Sequence, residues 1–462
     1  MNRKRKELVI VGCQSGDEGK GKFTDIFSER ADYVVRYQGG PNTGHTVNVA
    51  GKRFRFIQLP SGLLHGCKGI IGNGCILDPV ALKNEINELE AYLGSKLKLS
   101  ISESAHVIFP YHRAMDQVME GWRGDRWAVS GDTGFSTGLG QLGSTNRGVG
   151  PCREDKIARI GFRMIDLTDE RVVRNKLPRI IELKKKLIES ITEKRLEQLP
   201  FYREEDWDVS HLISAYLDLG RHFENALCDV SFLLEDARKQ NARIIHEGAQ
   251  SVGLDIEHGS YPFCSSGYSA AHGTTVGTGT PLDTPFEVYG VVKAYMSQSG
   301  GGPLPTAMDN PAETYVVERG REFGTVTGRR RRVGWLDLPF IRRAICIDGI
   351  KYLCISSLDV LAGLPEVRVA THYLIDGKEY NTSPVKLSQL SKVEPEYTLL
   401  PGWPEINWNN VVKNGIDALP ENAKGYLDFI AQNLNVTIAA FGVGPNRTDT
   451  VILRQPELNS DI

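Results

Sequence analysis

The sequence lacks several features that mark particular classes of protein. No apolar run approaches the roughly 20 residues of a membrane-spanning helix, and no signal peptide with a small-residue cleavage site follows the basic N-terminus. The eight cysteines show no Cys-x-x-Cys spacing, which argues against a zinc site or a disulfide framework and favours reduced thiols. The 55 basic and 57 acidic residues nearly balance, whereas proteins that coat nucleic acid or membrane surfaces need a basic excess. We therefore expect a cytoplasmic protein that binds neither nucleic acid nor membranes.

Length and glycine content are the positive signals. The chain has 462 residues, of which 40% are hydrophobic, so it is long enough to bury a large core. Its 48 glycines exceed ordinary usage and cluster in loops, as in enzymes with many ligand-facing turns. Internal repeats, low-complexity segments and clear linkers are absent from the sequence. It predicts a single domain over residues 1–462.

Strand-like apolar segments alternate with helical patterns along the chain. This alternation predicts an α/β fold with a mostly parallel central sheet, helices on both faces and large loops. The charged stretch at about 166–218 predicts a peripheral helical insertion, and the Gly, Ser and Thr of 131–151 predict a segment outside the core. Asp78 is a natural N-cap for a helix over 79–92. Strands are predicted at 6–12, 31–37, 105–109, 243–246, 288–295, 351–355 and 436–441, and another helix at 20–28.

Residues 16–22, Gly-Asp-Glu-Gly-Lys-Gly-Lys, form what we call the first turn. They follow an apolar strand, and a glycine-rich turn between a strand and a helix presents backbone N–H groups to phosphate. The standard phosphate loop is matched only in part, because Phe23 stands where a metal-binding hydroxyl belongs. Lys20 and Lys22 are candidate counter-charges for phosphate.

The acidic pair inside the first turn is its most informative feature. A carboxylate among phosphate-binding amides repels the ligand unless a metal or a proton transfer requires it. Asp17 or Glu18 is therefore a candidate catalytic or metal-binding acid. The alternative is a tight turn in which both acids favour the helix dipole.

Two further loops carry candidate site residues. The second loop, residues 39–46, contains His45, which is either structural or the partner of Asp17 in acid/base chemistry near phosphate. The third loop, residues 143–151, is either a phosphate-binding loop or a mobile surface loop.

Three later positions also point to a ligand site. Gln250 follows a predicted strand, where amide side chains read base or amide edges. The basic run 327–332 is either a solvated or nuclear-localisation sequence or, as its folded surroundings favour, a clamp for carboxylate or phosphate. Asp359 either accepts the N–H groups of a guanine edge or caps the next helix.

Taken together, these motifs resemble the adenylosuccinate synthetase family. The resemblance spans nearly the whole chain in family order. It is carried by residues 16–22, 42–46, 147–151, 247–250, 254–262, 327–332, 334–337 and 401–403.

The resemblance implies a reaction. This family joins aspartate to C6 of inosine monophosphate (IMP) while GTP is hydrolysed to GDP. The implied general base at N1 of the purine is Asp17, which drives O6 onto the γ-phosphate, and aspartate then displaces the 6-phosphoryl group. The resemblance implies that His45, on the side opposite Asp17, donates a hydrogen bond or a proton to the transferring group. The implied cofactor is Mg²⁺, held by Asp17 and Gly44, and the implied partners are a purine nucleotide, GTP (or ATP) and L-aspartate.

The resemblance also implies a homodimer in which Arg159 reaches the neighbouring active site. The implied IMP-binding residues are Asp17, Lys20, Asn42, His45, Thr145, Arg159, Gln250, Ser265, Ser299 and Arg329. The implied GTP-binding residues are Gly16, Glu18, Gly19, Lys20, Gly21, Lys22, Thr46, Arg331, Ser357, Asp359, Gly442 and Gly444. The implied aspartate-binding residues are Val326, Thr327, Gly328, Arg329 and Arg331.

Several ligand-facing positions depart from the family pattern. Ser15 replaces a Trp, Ser357 replaces a Lys beside Asp359, and Gln298 and Ser299 replace Arg-Val near the ribose. These changes leave Asp17 and His45 in place. The alternatives are a relative acting on another purine nucleotide, such as a guanine-type deoxynucleotide or a nucleoside-antibiotic intermediate, or one that uses ATP. A non-catalytic nucleotide-binding relative is less favoured, since binding alone does not require the base.

Overall fold

A single large sheet organises the chain. The computed structural model describes residues 5–126, 142–323, 328 and 330–458. The strands are β1 Glu7–Gly12, β2 Tyr33–Gly39, β3 His45–Val49, β4 Lys52–Phe56, β5 Lys68–Leu77, β6 Leu99–Ser102, β7 His106–Val107, β8 Leu227–Cys228, β9 Ile244–Ser251, β10 Phe286–Lys293, β11 Met296–Gln298, β12 Arg332–Gly334, β13 Leu336–Asp337, β14 Tyr352–Ser356, β15 Glu366–Ile375, β16 Lys378–Tyr380, β17 Glu394–Pro401, β18 Thr437–Gly442 and β19 Thr450–Ile452. The α-helices are α1 Lys20–Ser28, α2 Pro79–Leu93, α3 Pro110–Arg126, α4 Val149–Ile157, α5 Glu170–Thr192, α6 Val209–Phe223, α7 Val230–Lys239, α8 Gly273–Thr278, α9 Ala312–Gly320, α10 Leu338–Asp348, α11 Leu387–Leu390, α12 Trp408–Asn414 and α13 Glu421–Leu434.

The central sheet is almost entirely parallel. Its strand order is β19-β18-β14-β10-β1-β9-β2-β5-β6-β8, with β7 beside β5, and β19 is the antiparallel strand. In the middle, Leu8 of β1 is opposite Ile245 of β9 on one side and Glu287 of β10 on the other. The predicted α/β class with a mostly parallel sheet is therefore confirmed.

Helices cover both faces of the sheet. Side chains alternate along a strand, so β1 sends Leu8 and Ile10 to one face and Val9 and Val11 to the other. Leu8 and Ile10 pack in a core with Phe23 of α1. Val9 and Val11 belong to a larger core that includes side chains of α10 and α13. A strand buried on both faces reads as a continuous apolar run, which is why 8–11 was identifiable from sequence.

The charged stretch at 166–218 contains two long amphipathic helices. Helix α5 has an N-cap at Asp169 and buries one apolar stripe, and α6 has an N-cap at Asp208 and does the same. Their buried side chains join a core with Phe109 and Phe162, at the end of the sheet where β6 lies. The treatment of this stretch as an insertion within one domain stays a prediction.

Most element boundaries differ from the sequence prediction by one or two residues, and two predictions were wrong. The strand predicted at 105–109 is only His106–Val107, because Pro110 begins α3 directly afterwards. The segment predicted to lie outside the core ends in α4, where Val149 is 4% exposed. Residues 131–141 of that segment lie outside the described part of the chain. The N-cap of α2 is confirmed, since Asp78 accepts the N–H of Ala81 at 3.1 Å.

Among the residues that the structure describes, we find no helix with the length and apolar character needed to cross a bilayer.

One close approach in the core gives a stability prediction. A Cβ at Gly277 of α8 would lie 2.0 Å from the carbonyl oxygen of Tyr37 in β2. Gly277→Ala must push the helix off the sheet, and we expect it to destabilise the protein by about 1–3 kcal/mol. Urea unfolding followed by far-UV circular dichroism measures the change.

Gly425→Ala in α13 is the matched control. A Cβ there has no heavy atom within 4 Å, outside its own helix turn, in the described structure. Alanine is the better helix former, so this substitution should be neutral or slightly stabilising. Equal effects of the two substitutions would contradict the packing argument.

Candidate active site

A cavity of about 1600 Å³ opens at the carboxyl ends of the parallel strands. The first turn follows β1, the second loop follows β2, and the residues after β10, β14 and β18 reach the same opening. Loops at the carboxyl edge of a parallel sheet converge, so this is where ligands bind in open α/β folds. The sequence-predicted residues that line the cavity are Gly16, Asp17, Gly19, Lys20, Gly21, Lys22, Asn42, Gly44, His45, Thr46, Thr145, Gln250, Ser265, Ser299, Arg331, Ser357 and Gly444.

The remaining predicted residues lie elsewhere. Glu18, Arg159, Gly328, Asp359 and Gly442 do not line the cavity. Val326, Thr327 and Arg329 lie outside the described residues.

The two acids of the first turn have opposite placements. Glu18 is fully buried, and its carboxylate accepts the backbone N–H of Gln14 at 3.1 Å and of Gly16 at 3.0 Å. It also accepts the Ser251 hydroxyl and pairs with Lys20 at 2.5 Å. Burial acts to raise the pKa of Glu18, but the Lys20 ammonium and these hydrogen bonds hold it below its ordinary value. The Glu18 side chain therefore shapes the turn from inside.

Both lysines of the first turn are already engaged by the protein. The Nζ of Lys20 contacts Glu18, and the Nζ of Lys22 donates to the carbonyl oxygens of Gly444 at 2.8 Å and Asp449 at 3.0 Å. Burial lowers the pKa of Lys22 to about 8. Lys22 thus ties the first turn to the loop after β18, and an incoming anion must compete with these contacts.

Asp17 faces the cavity, with its side chain 30% exposed. Its Oδ2 lies 2.9 Å from Nε of Arg331 and accepts the hydroxyl of Ser299 at 2.9 Å. The same Nε also donates to Oγ of Ser299 at 3.2 Å. The candidate catalytic carboxylate is therefore held by one arginine and one hydroxyl in this structure.

Arg331 is in turn held by a buried acid that the sequence analysis did not identify. Its Nη1 donates to Glu322 at 2.9 Å, and Glu322 also accepts from Lys293 at 2.7 Å and Tyr295 at 2.5 Å. Burial acts to lower the pKa of Arg331, whereas Asp17 and Glu322 raise it above its ordinary value. The two carboxylates and the two cations, Lys293 and Arg331, form one charge-balanced group.

His45 is buried and bonded through both ring nitrogens. Its Nδ1 contacts the carboxylate of Glu247, and its Nε2 lies 3.1 Å from the carbonyl oxygen of Ala249. Glu247 also accepts the N–H of Ser61 at 2.8 Å and its hydroxyl at 2.6 Å. This arrangement fixes the ring and directs Nε2 towards the strand end that borders the cavity. Burial lowers the pKa of His45, and the positive charge of Arg36 acts in the same direction.

Glu247 is the second functional residue that sequence reasoning missed, although it lies in a quoted family motif. Burial acts to raise its pKa, but His45 and Arg36 lower it to about 2. Its position in the buried strand β9 could have identified it from the sequence. An acid on a strand buried on both faces requires a charged or hydrogen-bonding partner. Glu322 carried no such signal, since no strand surrounds it.

Gln250 brings the second loop and β9 together. Its Nε2 donates to Asn42 at 3.2 Å and to the hydroxyl of Thr43 at 2.6 Å. Its Oε1 is buried and has no partner in the described structure. An amide with a vacant acceptor at a cavity wall can accept an N–H from a ligand.

Ser265 lies in a loop that a single carboxylate organises. Asp255 accepts backbone N–H groups from Glu257 at 2.9 Å, His258 at 3.2 Å and Ala270 at 3.0 Å. These bonds hold both ends of the loop, and Ser265 in its middle borders the cavity.

Asp359 lies behind the cavity wall. Its Oδ1 is buried without a hydrogen-bond partner in the described structure, and burial raises its pKa. Neighbouring Ser357, which has a φ of 60°, does border the cavity. Arg159 is exposed with a φ of 63°, and this single chain gives it no place in the cavity.

Comparison with known proteins identifies the family. The family model described as adenylosuccinate synthetase matches residues 9–451. The chain belongs to the adenylosuccinate synthetase family. It is similar to an adenylosuccinate synthetase of Bacillus cereus, at 40% identity over 97% of this chain and 98% of that protein. The enzyme of Natronomonas pharaonis is 38% identical over 97% of this chain and 99% of its own.

Solved structures agree with this assignment. A fully ligated adenylosuccinate synthetase from Plasmodium falciparum superposes with a TM-score of 0.86 at 31% identity, covering 97% of this chain and 100% of that one. A cyanophage S-2L succinoaminodeoxyadenylate synthetase gives a TM-score of 0.58 at 18% identity over 98% of this chain and 96% of that one, a likeness that shows the fold alone.

The predicted family and the prediction of a C–N ligase of purine and AMP biosynthesis are confirmed. The alternative substrates and the non-catalytic alternative are not favoured. The family is one of GTP-using enzymes that commonly need a metal.

The buried Glu18–Lys20 pair gives a stability prediction. Glu18→Gln leaves the Lys20 ammonium buried without a counter-charge, which typically costs about 3–5 kcal/mol. The deficit should narrow as the pH falls below 4.5, the ordinary glutamate pKa, because the unfolded wild-type chain then binds a proton that the folded protein binds only at lower pH. Urea unfolding at several pH values measures it.

The double variant Glu18→Gln/Lys20→Met tests the cause. It removes both charges, so it should recover part of the lost stability. The single variant Lys20→Met is measured as well. If the losses of stability in the two single variants simply add up in the double variant, the two charges are not coupled.

Proposed function

We propose that this ligase joins L-aspartate to C6 of IMP and hydrolyses GTP to GDP through a 6-phosphoryl intermediate. The observation that carries this proposal is the cavity, which brings together an exposed carboxylate, Asp17, and a buried imidazole, His45, beside a glycine-rich turn. These are the groups that removal of a ring proton and phosphoryl transfer to O6 require.

Asp17 acts as the general base at N1 of the purine. Its Oδ2 is engaged by Nε of Arg331 and by the Ser299 hydroxyl, and these contacts must be exchanged before the carboxylate can approach a ring proton. A carboxylate or phosphate ligand that binds Arg331 competes with Asp17 for this guanidinium and so releases the base. Proton abstraction is thereby linked to the presence of the other substrates.

His45 acts on the opposite side of the transferring group. Glu247 holds Nδ1, so the hydrogen-bonding partner of substrate is Nε2, which in this structure faces the carbonyl oxygen of Ala249. Two acceptors face the ring, so both nitrogens donate only when His45 is protonated, a form that the Glu247 carboxylate favours and burial opposes. The protonated ring would donate from Nε2 to a substrate oxygen at the site where negative charge develops.

Magnesium suits the donors at this place. Asp17 and Gly44 border the same cavity, and a carboxylate and a backbone carbonyl are the hard oxygen ligands that Mg²⁺ prefers. We assign the ion to these two residues, where it would neutralise phosphate charge.

Most of the assigned substrate-binding residues line the cavity, and Asp359 lies two residues beyond Ser357, which also lines it. We assign the IMP phosphate to Asn42, Thr145 and Ser265, the base to Gln250, and guanine recognition to Asp359. The partnerless Oε1 of Gln250 and Oδ1 of Asp359 support these last two assignments, since each needs an N–H donor. Thr327 and Arg329 are assigned to aspartate on the family resemblance alone.

Asp17→Asn tests the role of the base. It preserves size and loses proton affinity, so we expect turnover to fall by about 10²–10⁴-fold. Adenylosuccinate formation, followed by product mass and phosphate release, measures turnover, and calorimetry measures IMP binding, which should remain. Full activity of this variant would remove Asp17 from the mechanism.

The wild-type protein is assayed beside it with inosine and guanine nucleotides, ribo and deoxy, each with GTP or ATP. Turnover only with a nucleotide other than IMP would replace the proposed substrate. Phosphate release with none of them would overturn the proposed function.

We also propose a homodimer in the cytoplasm, in which Arg159 completes the site of the neighbouring subunit. Support comes from the exposure of Arg159 and its place outside the cavity of its own chain. The eight cysteines, all free thiols, support a reducing compartment.

Mixing two inactive variants tests the shared site. Asp17→Asn and Arg159→Leu should each be inactive, but an equal mixture that exchanges subunits should recover about a quarter of wild-type activity, because half of the dimers hold one intact site. Arg171→Leu, at another exposed arginine, is the control and should stay active. No recovery despite subunit exchange, checked by mass spectrometry, would place Arg159 in its own subunit's site or outside catalysis.

A further inference from the structure

The two-stranded ribbon of β3 and β4 presents two arginines to the cavity. Thr46 is opposite Arg55 and Asn48 is opposite Arg53 in its antiparallel register. Residues opposite each other share a face, so these four side chains lie on one side of the ribbon. All four border the cavity, and both arginines are exposed.

The other face of the ribbon is apolar and belongs to the core. Val47 is opposite Phe54, and both are buried. Val49 is opposite Lys52, whose ammonium lies over the rings of Phe54 and Tyr92. The core therefore fixes the orientation of the ribbon, and the arginine face points to the cavity as a consequence.

Two more arginines reach the cavity from outside the ribbon. Arg321 follows α9 with a φ of 49°, and Arg331 pairs with Asp17. Both border the cavity. Burial lowers the pKa of Arg53, and the charges of Arg55, Arg331 and Arg321 lower it further, so the Arg53 guanidinium is close enough to each of the other three to be repelled by it.

Their counter-charges are missing from the described part of the chain. Arg331 has acidic partners, but no ion pair or hydrogen bond joins the side chain of Arg53, Arg55 or Arg321 to an acid among the residues described. The hydroxyl of Thr46 also has no partner there. Arginines that converge without acidic partners repel one another and so destabilise the folded protein. A ligand with several negative charges, bound between them, would remove this repulsion.

The position of the ribbon suggests which ligand this is. Its first residue, His45, lies against the first turn, since a Cβ at Gly21 would be 2.6 Å from Cβ of His45. Its other end is tied to the loop after β18, where Asn48 donates to the carbonyl of Pro445 at 3.0 Å and accepts the N–H of Arg447 at 3.0 Å. The ribbon thus runs from His45, on its core-facing side, to the loop after β18, and its arginine face borders the cavity between them.

We propose that Arg53, Arg55 and Arg321 form a subsite for the polyphosphate chain of the nucleoside triphosphate. The proposal rests on the proposed function for the identity of that nucleotide. Guanidinium groups bind phosphate oxygens through paired hydrogen bonds, and a triphosphate supplies the several charges that three unpaired arginines require. Bound polyphosphate would hold the ribbon, and with it His45, against the first turn.

Charge removal on the two faces of the ribbon tests this subsite. Arg53→Gln and Arg55→Gln should each weaken binding of GTP and of inorganic tripolyphosphate by about tenfold, the size of one charge-assisted hydrogen bond. Lys52→Gln removes the same charge from the core-facing side and should leave both affinities unchanged. Calorimetry measures the binding, and thermal melting confirms that the variants fold.

The Michaelis constants separate the ligands. The KM for GTP should rise in the arginine variants, whereas those for IMP and aspartate should not. A rise for aspartate alone, an equal loss in Lys52→Gln, or unchanged affinity for GTP and tripolyphosphate would each overturn the subsite. The outcome is independent of the proposed reaction: a wild-type protein that makes no adenylosuccinate, yet binds tripolyphosphate through these arginines, would refute the reaction and support the subsite.

Discussion

The site depends on one buried carboxylate. Glu18 draws the backbone N–H groups of Gln14 and Gly16, the Ser251 hydroxyl and the Lys20 ammonium around a single point behind the first turn. A carboxylate buried with these donors is held in one geometry, because each unmet bond would cost the desolvation of a charged group. That geometry turns the neighbouring Asp17 outward. The exposed acid is thus positioned by the buried one.

Charge pairing continues from the first turn into the rest of the cavity. Asp17 is paired with Arg331, Arg331 with Glu322, and Glu322 with Lys293, whereas His45 is paired separately with Glu247. These groups form internal charge pairs that fix one another's positions at the cavity. The ribbon arginines differ, since they offer positive charge without an acid to displace.

Local patterns in the sequence predicted local structure well. Asp78 before Pro79 specified the start of α2, and the apolar run 8–11 specified a central strand, because each signal lies within a few residues. The family motifs also predicted that the first and second loops share a site, since both follow parallel strands. The pairings of Arg331 with Glu322 and of His45 with Glu247 were not predictable, because each joins segments whose proximity is set by the assembled sheet. The short β7 was overestimated because Pro110 limits it from outside the apolar run.

The contacts of Lys22 have a consequence for the way the protein responds to alkalinity. Its ammonium lies among carbonyl oxygens, and its pKa of about 8 leaves it only partly charged in mildly basic solution. The family resemblance implies that GTP binds beside Lys22, and an anion there would favour the charged form, so its binding would draw a proton from the solvent. The affinity for phosphate would then fall as the pH rises past the pKa of Lys22.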